Sequence, residues 1–303
     1  MQSVMQIIDF TPDEKDFFLN LYQSLPSETK NELEDLKWKM LTPSPHFLEM
    51  GFQIKDRLSV IAHKLDVHPY SLHMLFILLC VPELPLLYRQ KGIEGKFAYN
   101  VLPDIRCKLT ECVKMEHVMG ARAVEWFYQY FALTRFAIGY FQYDSYKWDL
   151  DIDYHFQDIH MTGGDPVYKI HIPSNGRMSR EVRLASYCAA HDFYGYKKGE
   201  PIVLFCRTWL LYEGYRGVYP AGSNLMDFMD DFDLIWNKEL DTFDDAWRIF
   251  NQHYHGNLSA LPHDTTLQRN FVDYINQGGK FGIGAGVIVC DGERILNNKR
   301  DNP

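Results

Sequence analysis

The 303 residues are 46% hydrophobic and 23% charged, a balance that supports a sizeable buried core and excludes a disordered, collagen-like or disulfide-miniprotein chain. A formal charge of −9 with no concentrated basic stripe excludes a general nucleic-acid binder, which must neutralise phosphates. The cysteines at 80, 107, 112, 188, 206 and 290 contain no C-x-x-C pair, so zinc-ribbon and secreted-disulfide patterns are absent and reduced thiols in the cytoplasm are expected.

The first 25 residues carry Asp13, Glu14 and Asp16 and no long apolar run, unlike a signal peptide. Thr11, Pro12 and Glu14 form a helix start: a hydroxyl cap, a proline where its missing N–H costs nothing, and Glu three residues after the cap. A second helix is predicted after Pro26. Phe47, Met50, Ile54, Leu58, Ile61 and Leu65 recur at spacings of three and four and define one helical face. The apolar run from Met74 to Val81 is broken by Pro82, Glu83 and Pro85, short of the roughly 20 residues a membrane-spanning helix needs, and reads as a buried helix. Val124, Phe127, Tyr128 and Phe131 give a further helical stripe, and each stripe reads as core rather than as a cofactor site.

Near Arg135 the texture changes. Asp149, Asp151, Asp153 and His155 alternate with Leu150, Ile152, Tyr154 and Phe156, which predicts a strand. A Gly163-Gly164-Asp165-Pro166 turn leads to a strand over 167–172, and a helix is predicted from about Arg180 to Phe193. A strand buried on both faces follows over 202–211, then a helix opened by Ser223, then a short strand over Leu234 to Trp236. A helix from about Asp244 is expected to end near His253 and His255. Thr265 and Gln268 make a capping box, Gly278-Gly279 a stop, and Phe281 to Val289 a last strand. The order predicts an all-helical domain over 1–134 and an α+β domain over 135–303.

The segment Ser174-Asn175-Gly176-Arg177-Met178-Ser179 joins a strand to a helix start, a geometry that aims backbone N–H groups at an anion. Arg177, Arg180 and Arg183 cluster at that positive helix end, a conflict that a bound polyanion removes; the plain alternative is three solvated arginines. The Asp149–His155 row invites a metal, but strand neighbours two apart are ~6.6 Å apart, so only neighbours could share an ion without a facing strand, and the row reads as a solvated sheet face with no metal. The pair His253 and His255 lacks further ligands, and Cys206 reads as an inert core thiol rather than a hydrolase nucleophile. Gly282, Gly284 and Gly286 alternate within the last strand, which predicts close backbone approach there.

The run Tyr168-Lys169-Ile170-His171-Ile172-Pro173 with Gly176, then Cys206-Arg207-Thr208-Trp209-Leu210-Leu211, then Pro220, Ser223-Asn224-Leu225 and Phe228, resembles a bacterial family of acyltransferase domain-containing proteins. The helical half matches at Tyr88, Lys91-Gly92-Ile93, Asp104-Ile105, Trp126 and Gly139-Tyr140-Phe141-Gln142, so the likeness covers roughly residues 80 to 290. That family joins a helical N-acyltransferase domain to a GNAT-like domain. The resemblance implies a mixed sheet that binds acetyl-CoA or a longer acyl-CoA as cosubstrate at a splayed central strand pair. The acceptor it implies is a small-molecule or peptide amine, with neither nucleic acid nor membrane as partner, and the helical half would wall the acceptor pocket.

Under that resemblance Asn175, Gly176, Arg177, Met178, Ser179 and Arg180 correspond to the pyrophosphate-binding element, and Asn224 opens the later cofactor-side helix. Two departures stand out. Only Gly176 remains of the usual Q/R-x-x-G-x-G/A signature, and Asp227 and Asp231 stand where that helix has alanine and the acidic tyrosine. The expected reaction is direct attack of an amine on an acyl thioester, with His171 as base and Tyr219, among Tyr212 and Tyr215, in place of the missing acid. The alternative is a GNAT-shaped binding module without catalysis.

Overall fold

A computed structural model describes residues 1–42, 44 and 46–298. The chain divides into two compact units, one of Met1–Ala137 with Pro173–Asn175, the other of Ile138–Ile172 with the chain from Gly176 onward.

The first unit is helical: α1 (Gln2–Ile7), α2 (Pro12–Ser24), α3 (Ser27–Leu41), α4 (Phe47–Lys64), α5 (Pro69–Cys80), α6 (Leu84–Gln90), α7 (Leu102–Glu116) and α8 (Glu125–Phe131). At α2 the predicted start forms a complete capping box, the Thr11 hydroxyl accepting from the Glu14 N–H and the Glu14 carboxylate accepting from the Thr11 N–H at 2.8 Å. The α4 stripe buries Ile54, Leu58 and Ile61, while α5 is enclosed along most of its length. One expectation needs correcting. Pro82 and Pro85 do not interrupt the helix, because each sits in the first turn of the next helical segment, where no N–H is needed. Pro69–Gln90 is therefore a 22-residue helical stretch whose most apolar 18-residue window has a mean hydropathy of 1.7, long and apolar enough to cross a membrane by length and composition, and 67% of that window is buried, as in a core helix.

The strands are β1 (Arg135–Ile138), β2 (Phe141–Lys147), β3 (Tyr154–Phe156), β4 (Ile159–Met161), β5 (Pro166–His171), β6 (Ile202–Thr208), β7 (Asp233–Leu240) and β8 (Phe281–Cys290). Between them lie α9 (Arg180–Phe193), α10 (Asn224–Met229), α11 (Trp247–Phe250) and α12 (Thr266–Asn276). Six strands make one mixed sheet in the order β1-β2-β5-β6-β8-β7, and β3 and β4 pair separately as a hairpin. The pair β2–β5 is antiparallel, β5–β6 parallel, and β6–β8 and β8–β7 antiparallel.

Side-chain alternation gives this sheet two packed faces. On one, α9 lays Tyr187 against the Phe141 ring at 5.4 Å, and the Ser186 hydroxyl accepts from the Phe141 N–H. On the other, Trp148, Leu150, Tyr154 and Met161 close over Val167, Phe205, Ala285, Val287 and Val289. The β8 glycines meet the expectation of close approach. A Cβ on Gly284 would lie 2.0 Å from the Leu211 carbonyl oxygen, and one on Gly282 would enter the Tyr212 ring.

Four predicted elements differ. The run expected as strand over 202–211 is strand only to Thr208 and then turns into a short 3-10 helix, Trp209–Leu211. Of the alternating 149–156 row only Tyr154–Phe156 is strand; the preceding residues turn Trp148 and Leu150 into the core without a ladder partner. The β7 strand runs to Leu240, well past Trp236. Helix α11 stops at Phe250 with Asn251 in the left-handed region, so His253 and His255 lie beyond any helix end.

Candidate active site at the parting of two strands

The parallel ladder between β5 and β6 is confined to two register pairs, Tyr168↔Leu204 and Lys169↔Phe205. Towards their C-terminal ends β5 stays paired with β2 through Gln142↔His171 and β6 stays paired with β8 through Thr208↔Gly284. The two halves of the sheet therefore part after Lys169 and Phe205, leaving Ile170–His171 and Cys206–Thr208 outside a common ladder. Strand backbone without a neighbour retains hydrogen-bonding capacity that a ligand can use. The Cys206 thiol, pushed up to about 12 by burial, faces the Ile170 carbonyl at 3.7 Å, which suits the inert core thiol predicted for it.

At this parting stands His171, the last residue of β5. Its Nε2 lies 2.6 Å from Asp144 Oδ2, and the two side chains are 17% and 11% exposed. The contact follows from register: Gln142 is opposite His171 and Asp144 opposite Lys169, so Asp144 is the diagonal neighbour of His171 on the same face. Gln142 is 3% exposed, and its buried Oε1 has no hydrogen-bond partner among the described residues. Lys169 lies over the Tyr146 ring at 4.3 Å; burial, then the Arg207 cation, lowers its pKa. Arg207 is in turn held by Asp149 at 2.9 Å. A histidine oriented by a carboxylate, beside an unused amide oxygen, is an arrangement able to accept and relay a proton.

The predicted anion loop is less uniform than its sequence. Pro173–Asn175 group with the helical unit, where Asn175 has a buried Oδ1 without a hydrogen-bond partner among the described residues. Gly176 takes a left-handed φ of +67°, and its carbonyl accepts from the Tyr140 hydroxyl. Arg177 is exposed, Met178 buried, and Ser179 and Arg180 half-buried, with Ser179 at the N-cap of α9. Glu181, in the first turn, accepts from its own backbone N–H and from the Ser179 hydroxyl, and these bonds hold its carboxyl below the usual range. Asn224 is exposed at the start of α10, behind the Ser223 cap.

Two further expectations are redrawn. Arg183 is not part of an anion cluster: it is fully buried, its guanidinium donating to both Asp231 oxygens at 2.5 and 3.1 Å and to the Met178 carbonyl at 2.7 Å. The Tyr187 hydroxyl also donates to Asp231. Asp231, standing where the resemblance expects a catalytic tyrosine, is thus a structural anchor between α9 and the end of α10. Tyr219 is buried among Trp209, Tyr215 and Phe271, and its hydroxyl donates to the Leu210 carbonyl at 3.2 Å. Burial raises its pKa well above the phenol range, and its proton is already committed. Sequence reading missed Asp144 and Gln142, whose signal is the antiparallel register rather than any local motif.

A mixed sheet parted at its parallel pair, followed by a helix leading away from one of the parted strands, is the architecture of the GNAT-like acyltransferase fold. The chain belongs to the family of the GNAT-like C-terminal domain, whose model matches residues 135–288. Solved structures agree over nearly the whole length. An acyltransferase in complex with decanoyl-CoA and teicoplanin superposes with a TM-score of 0.60 at 15% identity, covering 95% of this chain and 98% of that one. An acyltransferase in complex with CoA and 10C-teicoplanin gives 0.59 at 14% identity, covering 94% and 98%. One in complex with decanoyl-CoA gives 0.57 at 18% identity with the same coverage. No curated protein matches the chain.

Proposed function

We propose that the protein is a CoA-dependent N-acyltransferase whose acyl-CoA lies in the opening between β5 and β6. The observation that carries this reading is the parting of the parallel pair after Lys169 and Phe205, with a carboxylate-oriented histidine at its mouth. The acyl-CoA ligands of the structural neighbours support the cosubstrate. The pairing of decanoyl-CoA with teicoplanin in one of them supports a second substrate that is a small molecule or peptide bearing an amine.

In this reading the amine nitrogen attacks the thioester carbonyl. A C–N bond forms, the C–S bond breaks, CoA leaves as thiolate, and the amine proton passes to His171. Asp144 orients the imidazole and stabilises its protonated form. Gln142, opposite His171, offers its unused amide oxygen to the incoming amine. The diphosphate of CoA would displace the Glu181 carboxylate from Ser179 and the first-turn amides of α9, with Arg177 and Arg180 flanking it.

Thermal melting with acetyl- to decanoyl-CoA, joined to chromatographic detection of free CoA in the presence of amines, tests the proposal. A raised melting temperature that Arg177→Glu removes, with CoA release that needs an amine, is expected. No shift with any ester would overturn the cosubstrate. The use of Asp231 and Tyr219 as structural groups favours a second reading, a module that binds acyl-CoA without chemistry. That reading predicts the shift without any release.

A further inference from the structure

The β3–β4 hairpin assembles a group of side chains that neither the parted strands nor the α9 loop uses. Its strands are joined through Gln157 and Asp158, with Gln157 in the left-handed region at φ +50°. Tyr154 and Met161 are buried in the core, and Phe156 and Ile159 pack against the same cluster. Alternation then sends His155 and His160 to the outer face, where they are register partners. Next to a two-residue turn such a pair falls at the closely spaced type of position, and the rings stack at 4.0 Å and 15°. Asp153 joins them, its Oδ2 lying 3.8 Å from His160 Nε2. One ligand atom from each of the three residues lies within 4.8 Å of the other two, and all three residues are exposed.

The objection to a metal on the single row Asp149–His155 was that neighbours on one strand are too few. The facing strand removes it, because His160 supplies the third ligand. Tetrahedral zinc with bonds of about 2.0–2.1 Å needs ligand atoms ~3.3 Å apart, a contraction within reach of exposed side-chain rotations. Residues 148–165 contain five aspartates and no lysine or arginine, so the surroundings favour a cation. Two imidazoles and one carboxylate suit a borderline divalent ion and not a hard one such as Mg²⁺.

We propose that Asp153, His155 and His160 form a surface site for a divalent transition ion of the zinc class, which clamps the hairpin over one face of the sheet. The site is independent of the transferase reading. Zinc titration of the full chain by calorimetry is expected to show one equivalent bound. His155→Ala or His160→Ala should weaken it about tenfold or more, and Asp153→Asn should weaken it less. Zinc should also raise the melting temperature of the parent protein and not of the double variant. Because both histidines point outward, the variants should keep the parent far-UV dichroism. Visible absorption of the Co²⁺-loaded parent, lost in His160→Gln, provides a second readout. Binding that survives in the His155→Ala/His160→Ala double variant, or that is lost in His253→Ala/His255→Ala instead, would overturn the proposal, as would no zinc uptake by the parent.

Discussion

Two histidines in different regions show how surroundings decide what one side chain can do. His73, on α5 in the helical unit, is 1% exposed and its Nε2 meets the Ser59 hydroxyl at 3.2 Å. Burial, assisted by the Lys55 ammonium, pushes it down to about 4. His171, at the end of β5, meets a carboxylate at 2.6 Å and keeps part of its surface open where the sheet divides. The first is sealed in the neutral form by the core. The second has a carboxylate partner and an open edge, which is why the proposed reading makes it the proton carrier while His73 is a packing residue.

If the proposed role holds, replacing His171 should produce the largest effect. His171→Gln is expected to lower acyl transfer about 10²- to 10⁴-fold while the urea midpoint stays near the parent's, as steady-state kinetics and denaturation would check. Loss of stability without loss of transfer would reverse the assignment of roles. A second charged pair sharpens the contrast, since Arg183 and Asp231 are both fully enclosed. Asp231→Asn strands the guanidinium and should cost about 3–5 kcal/mol by chemical denaturation, regardless of any substrate.

The sealed histidine makes a pH-dependent prediction of the opposite kind. Below pH 6.5 the unfolded chain protonates His73 while the native one resists until about 4, so stability is lost as pH falls through that window. At about 1.4 kcal/mol per pKa unit, His73 alone accounts for about 3 kcal/mol. The difference in unfolding free energy between pH 7 and pH 4 should shrink accordingly in His73→Gln. The smallest effect is expected away from both histidines, at the α12 cap, where Thr265→Ala removes the hydroxyl that accepts from the Gln268 N–H. It should lower stability by about 1 kcal/mol with no change in transfer.

What the sequence disclosed was what short-range chemistry controls. Thr11 with Glu14 and Thr265 with Gln268 specify helix starts within four residues, and α9 has the predicted limits because its apolar face and flanking turns are local. The alternating glycines of β8 likewise announced a close approach that Leu211 and Tyr212 make. Position 171 was legible as a candidate because it ends a strand. Its partner was not, since Asp144 lies 27 residues away and reaches it only through antiparallel register. The same blindness made Arg183 look like a neighbour of Arg177 and Arg180, when burial against Asp231 had already claimed it. It also hid His160, which shares an outer face with His155 only after the hairpin folds.

The placement of the cysteines has a practical consequence for enzymology. Cys80, Cys107, Cys112, Cys206 and Cys290 are buried, and Cys188 is the partly open one. A colorimetric disulfide reagent added to the native protein should therefore titrate at most one sulfhydryl quickly. Under the proposed reading, release of coenzyme could then be followed continuously in the cuvette against that small, fixed background.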